Sequence, residues 1–211
     1  MNSKSLKDEI RTKVWRALME RNAALPPFPI FGRIPNFRGA GEAAERLKGL
    51  TNYRGAEAIL CNPDSPQRPV REMVLRDGKI LIVATPRMSK GFMAIERSDD
   101  PFYDSTIRGL MERGRPVNPG DYKIDLFIAG SVAVSREGYR LGKGTAYSDT
   151  EYNLWKRAGS IDEKTISITT VHDLQVLDYV PRDEWDVPVD LIITPTRTVW
   201  TVLGSKRLNL S

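Results

Sequence analysis

The residues best suited to chemistry lie between Gly130 and Asp149. Gly130-Ser131-Val132-Ala133-Val134 is followed by Gly138-Tyr139-Arg140-Leu141-Gly142-Lys143-Gly144-Thr145-Ala146-Tyr147-Ser148-Asp149. Glycines let a backbone turn tightly and approach a ligand closely, and free amides at a following helix start attract anions. The stretch therefore reads as a phosphate-binding loop. The competing reading is an ordinary surface loop, because short glycine patterns match by chance. A Walker A loop is excluded: Glu137 stands where G-x-x-x-x-G-K-[ST] requires its first glycine, and Gly144 stands where it requires Ser or Thr. A second cationic feature is the pair Lys7 and Arg11, four residues apart and so on one helix face. Like charges there repel unless an anion sits between them, and the plainer reading is two solvated side chains.

Other chemistries are removed by composition. One cysteine, Cys61, and one histidine, His172, leave no internal disulfide, no cysteine-based zinc cage and no site needing two imidazoles. Cys61 follows a buried strand and reads as inert, and His172 beside Asp173 reads as a satisfied structural residue. Lysine plus arginine number 32 against 27 acids, a net charge of +5, which favours anionic partners without choosing among nucleotide, polyanionic cofactor and RNA. No apolar run reaches the length of a membrane span, and the N-terminus has no signal-peptide pattern, so the expected location is the cytoplasm.

The elements that must position these residues follow from periodicity. Leu6, Ile10, Val14 and Leu18 are spaced four apart in an amphipathic helix over Ser5 to Asn22, with Ser5-x-x-Asp8 as a capping box and Glu9 to Lys13 as an i,i+4 pair. Pro26, Pro27 and Pro29 stop it, and a second helix buries Ala40, Ala43, Ala44, Leu47 and Leu50. A βαβ unit runs from Ala56–Leu60 through a helix around Val70, Met73 and Val74 to Ile80–Ala84. A helix over Ser105–Arg113 and a strand over Ile124–Ala129 follow. The next helix, Ser148–Ala158, is opened by the capping box Ser148-x-x-Glu151. Strand-like runs close the chain at Thr165–Thr170, Leu191–Thr194 and Thr198–Leu203. The fold class is α/β, an open, mostly parallel sheet with helices on both faces, and such sheets bind ligands beyond their carboxyl ends. The 211 residues form one domain, with residues 1–50 a helical segment packed on it.

The arrangement also resembles the 5-formyltetrahydrofolate cyclo-ligase family, the methenyltetrahydrofolate synthetases. Its hallmark is D-L leading through a hydrophobic run to P-G-x-A-hydrophobic, then G-x-R-L-G-x-G-x-G-Y-Y-D. Gly138, Arg140-Leu141-Gly142, Gly144, Tyr147 and Asp149 fall in register with its second part, and Asp125-Leu126, Gly130 and Ala133-Val134 follow the order of its first with one extra residue between Gly130 and Ala133. Lys7 through Arg11 is similar to the family's K-x-x-[LI]-R helix, and Gly78-Lys79 through Pro86-Arg87 to its G-K-to-P-R segment. Gln175, Pro181 and Glu184 through Thr194 are similar to its C-terminal pattern. Ala129, Ala146 and Ser148 depart from the hallmark, and Thr145 adds bulk at the variable position before Ala146. The stretch Ile34-Pro35-Asn36-Phe37 with its small-residue helix resembles the divergent methenyltetrahydrofolate synthetase domain-containing branch.

The resemblance implies a three-layer architecture shared with sugar-phosphate isomerases and CoA transferases, whose acidic catalytic signatures this sequence lacks. It implies an ATP- and Mg²⁺-dependent ligase that phosphorylates the formyl oxygen of 5-formyltetrahydrofolate, or a related formylated pterin, and closes the 5,10-methenyl form. Such chemistry rests on positioning and charge, so scarcity of histidine and cysteine does not oppose it. By resemblance Arg140 and Lys143 are catalytic, Lys7 and Arg11 hold ATP phosphates with the amides of Gly142 and Gly144, and Tyr147 stacks on a ring. Asp149 holds Mg²⁺, while Pro86, Arg87 and Asp64 border the folate. The alternative is a non-catalytic nucleotide- or RNA-binding member of the same fold. RNA has no support here beyond charge. The expected assembly is a monomer or homodimer.

Overall fold

A computed structural model describes residues 3–208. Helix α1 (Ser3–Glu20) leads to the short antiparallel pair β1 (Ala24–Leu25) and β2 (Asn36–Phe37), then to α2 (Ala40–Lys48) and α3 (Thr51–Gly55). β3 (Ala58–Cys61), α4 (Arg68–Arg76) and β4 (Ile80–Ala84) form the expected βαβ unit, with β3 and β4 parallel. β5 (Phe92–Ile95), α5 (Pro101–Asp104), α6 (Ile107–Arg113) and β6 (Arg115–Val117) complete that half. Next come β7 (Leu126–Ala129), β8 (Ala133–Ser135), β9 (Arg140–Leu141) and α7 (Tyr147–Arg157). The chain ends with β10 (Ile166–Thr170), β11 (Val176–Leu177), β12 (Leu191–Ile193), β13 (Thr198–Trp200) and α8 (Val202–Leu208).

Eight strands form the main sheet in the order β13-β12-β10-β7-β3-β4-β5-β6. The five central strands are parallel, and antiparallel strands flank them at both edges. Every residue of β3 and β7 is buried, as a parallel sheet covered on both faces requires. Alternation sorts the side chains. Ile59, Cys61, Leu81, Val83 and Ile128 pack under α2 and α4, whereas Leu60, Ile82, Phe127 and Ile192 pack under Tyr152 and Trp155 of α7. Trp155 is fully buried, edge-on to Phe92 at 5.3 Å, and a side chain of that size contributes roughly 2–3 kcal/mol by burial. A separate apolar cluster joins Val14, Trp15 and Leu18 of α1 to Ile30, Ile34, Val132 and Leu141.

Several expectations are corrected. Ser5 lies inside α1 rather than at its N-cap, so the Ser5–Asp8 box does not form, although the Glu9–Lys13 pair does at 2.7 Å. Thr106 caps α6 through Gly109 N–H, so the helix expected over 105–113 begins at Ile107. Ala146, in the left-handed region at φ 53°, is the N-cap of α7; Ser148 and Glu151 both lie within the helix and form no box. β5 and β6 were not anticipated. The strand expected over 198–203 stops at Trp200, where α8 takes over. Between β7 and α7, where a single loop was expected, the chain forms β8 and β9, which join the later β11 in a small sheet of order β11-β8-β9. Gly138 turns that sheet at φ +117°, and any Cβ there would lie 2.6 Å from Val189 O.

Candidate active site

At the carboxyl ends of β3, β4 and β7 a cavity of about 470 Å³ opens, the location favoured for ligands in parallel sheets. Its walls bring together every site residue named from the sequence: Lys7, Arg11, Asp64, Pro86 and Arg87 join Arg140, Gly142, Lys143, Gly144, Tyr147 and Asp149. His172 lies elsewhere, its Nδ1 accepting Leu174 N–H at 3.1 Å, and is structural as expected. Cys61 is the last residue of β3, not a residue beyond it, and burial pushes its thiol up to about 12.

The cavity wall carries two kinds of group. The cationic set is Arg140, Lys143, Arg11 and Lys7. Arg140 is nearly fully buried; one terminal nitrogen donates to Asp149 Oδ1 at 2.7 Å and the other to Gly130 O at 3.4 Å, while its Nε has no partner. Lys143 reaches Asp64 Oδ1 at 3.2 Å. Arg11 donates to Gly142 O at 2.7 Å and Asp8 Oδ1 at 2.6 Å. Among the described residues the backbone N–H groups of Gly142, Lys143 and Gly144 donate to no protein acceptor, and the open first turn of α7 follows them.

Lys7 is not left facing Arg11 without an anion. Its ammonium lies 2.8 Å from both Asp183 and Asp186. Burial alone would lower its pKa, but the hydrogen bonds it donates to those carboxylates, together with their charge, outweigh it and hold the pKa above the ordinary lysine value. The protein's own acids thus relieve the like-charge repulsion on α1.

Against this cationic set lie acceptor groups that the sequence largely does not mark. Asn62, at the end of β3, accepts Gly130 N–H and the Ser148 hydroxyl, each at 2.8 Å, and donates to Glu151 Oε2 at 2.7 Å. Glu151 is buried and lines the cavity. Burial first, then the nearby Asp64 charge, raises its pKa to about 8, against the pull of Asn62, Arg140 and Lys143. Its period on α7 would have marked it as inward-facing had the capping pattern not claimed it. Buried Arg71 braces these residues by donating to Asn62 O and Asp64 O at 2.8 and 2.9 Å, and to Ser105 O at 2.9 Å. Gln175 fixes the segment after Gly130, donating to Ser131 O and Val132 O. Gly130 sits where a Cβ would lie 2.8 Å from Asp64 Oδ2 and 3.0 Å from Gln67 Oε1, so a larger residue there would have to displace the Asp64 carboxylate.

Among the described residues no group of three or more His, Cys, Asp or Glu is disposed to hold a metal. Mg²⁺ bound with a polyphosphate needs only one or two carboxylates, and Asp149 fits that lesser demand. Its Oδ1 takes Arg140 and Val187 N–H, and Oδ2 accepts no hydrogen bond among the described residues. Among the described residues no helix is long and apolar enough to cross a membrane.

Residues 3–195 match the model of the 5-formyltetrahydrofolate cyclo-ligase family. A methenyltetrahydrofolate synthase domain-containing protein of Bos taurus is 38% identical over 205 residues, 92% of this chain and 54% of that protein. Its Homo sapiens counterpart is 36% identical over 95% of this chain and 54% of its own length. The chain thus spans about half the length of these curated relatives. A 5-formyltetrahydrofolate cyclo-ligase of Escherichia coli is 32% identical over 37% of the chain and 40% of that protein. Among solved structures, a 5,10-methenyltetrahydrofolate synthetase of Aquifex aeolicus superposes with TM-score 0.62 at 22% identity, covering 92% of each chain; this likeness establishes the shared fold.

Proposed function

Because the chain belongs to the 5-formyltetrahydrofolate cyclo-ligase family, we propose that it is an ATP- and Mg²⁺-dependent ligase that converts 5-formyltetrahydrofolate, or a related formylated pterin, to the 5,10-methenyl form. The observation that carries this reading is Arg140: a guanidinium buried in the cavity wall, with an unpartnered Nε, beside three unpaired amides and Lys143. Such a group has desolvated positive charge that an anionic oxygen would satisfy.

The formyl oxygen attacks the γ-phosphorus of ATP and ADP leaves. N10 then attacks the activated carbon, the C–O bond breaks, inorganic phosphate departs and N10 loses its proton. Lys7 and Arg11 would hold the phosphates, Lys7 through the third ammonium N–H beyond those given to Asp183 and Asp186. Arg140, Lys143 and the amides of Gly142 and Gly144 would neutralise charge on the transferred group, and losing one such donor typically lowers turnover by about a hundredfold or more. Asp149 would hold Mg²⁺, which would supply charge neutralisation at the phosphates. Asp64, Pro86 and Arg87 would border the folate, and Tyr147 would cover a ring. The purified protein should form the methenyl chromophore in step with ADP, and folded protein yielding neither product refutes the reading. Calorimetric titration with MgATP, repeated on Arg140→Ala, tests the assignment of that arginine.

One observation favours a second reading, a non-catalytic nucleotide- or RNA-binding member: Lys7 is already neutralised by Asp183 and Asp186. Salt-dependent RNA affinity without a thermal shift from ATP would select it.

A further inference from the structure

We propose that Trp185 is the stacking platform for the purine ring of the nucleotide, which deepens the reading of the cavity as an ATP site and rests on it. Trp185 lines the cavity yet is 66% exposed, the most exposed large hydrophobic side chain among the described residues. An indole left so far in water forgoes the burial that its apolar area would otherwise supply, and at the rim of a polar cavity a planar ligand restores it.

The exposure does not come from a loose segment. Asp183 N–H donates to Asp186 Oδ2 at 2.7 Å and Asp186 N–H to Asp183 O at 3.2 Å, closing a four-residue turn with Trp185 near its apex. The turn is pinned to Lys7 through both aspartates at 2.8 Å, and Val187 N–H fixes the next residue to Asp149 Oδ1 at 3.0 Å. A ring presented by a clamped turn is held ready for a flat partner without further ordering. The same anchors decide which ring. Lys7 and Asp149 are the residues assigned to phosphate and Mg²⁺, so the indole sits on the nucleotide side, whereas Asp64, Pro86 and Arg87 border the other ligand.

Trp185 can be read separately from the other tryptophans, because Trp15 and Trp155 are buried and Trp200 is partly buried. Acrylamide quenching of the full chain should fall on adding MgATP, and should not fall with inorganic triphosphate or with 5-formyltetrahydrofolate alone. Trp185→Ala should weaken MgATP binding about tenfold or more, leave triphosphate binding unchanged, and be largely rescued by Trp185→Phe. MgATP binding that ignores the Ala substitution overturns the proposal, as does protection by the folate but not by MgATP. Should the unsubstituted protein bind neither MgATP nor triphosphate, the ATP reading itself falls and the platform with it; ATP binding that is insensitive to Trp185 removes only the platform.

Discussion

Arg140 donates to Asp149 Oδ1 at 2.7 Å from a side chain only 2% exposed, so the most buried cation of the cavity and the carboxylate at the start of α7 act as one unit. Arg140→Ala should lower turnover about a hundredfold or more and weaken MgATP binding. Arg140→Lys should not restore either, because an ammonium cannot span Gly130 O and Asp149 while keeping a further donor for ligand. Coupled assays and calorimetry on the two variants check this; full activity in the lysine variant would contradict it.

Gly130→Ala places a methyl 2.8 Å from Asp64 Oδ2 and 3.0 Å from Gln67 Oε1. Gln67 is fully buried and anchored to Thr170, so the larger shift falls on Asp64. The expected outcome is a loss of about 1–3 kcal/mol in stability together with a raised KM for the folate and a smaller change for ATP. Chemical denaturation and steady-state kinetics measure both.

Glu151 has a folded-state pKa near 8, above its value in an unfolded chain. The stability gained by keeping it protonated is therefore complete in acid and is lost as pH rises toward 8. Glu151→Gln keeps an acceptor for Asn62 and removes the titration. Its melting temperature should match the parent near pH 4, exceed it increasingly up to about pH 8, and differ by a constant amount beyond. A parallel pair of melting curves across that range would disprove the assignment.

The Cys61 thiol, pushed up to about 12 by burial, is expected to resist a thiol reagent at neutral pH in the native protein and to react fully in denaturant. Rapid labelling of native protein would show that β3 opens more readily than its packing implies.

The parallel strands were legible because each is a short apolar run between turn residues, and the cationic loop because its charge and glycines stand out. The edge strands were not. Pro116 disguises β6, and β5 follows a turn that gave no hairpin signal. Two capping patterns misled for the same reason: Ser-x-x-acid also occurs inside helices, where burial of a neighbouring face decides its fate. That error concealed Glu151. Asn62 carried no motif at all, since its role comes from bonding Gly130, Ser148 and Glu151, each more than sixty residues away in sequence. Asp125 and Asp190 fit a family pattern and prove structural. Asp125 accepts the N–H groups of Glu57 and Ala58, and Asp190 that of Ser167.

Helix α1 rests on its own apolar cluster, apart from those that sandwich the main sheet. A binding site whose first cationic contacts ride on a separately seated strut can be silenced without being melted. Mild denaturant should therefore extinguish nucleotide capture while the sheet's spectroscopic signature is still intact, and the span between those two midpoints would measure how firmly the strut is docked.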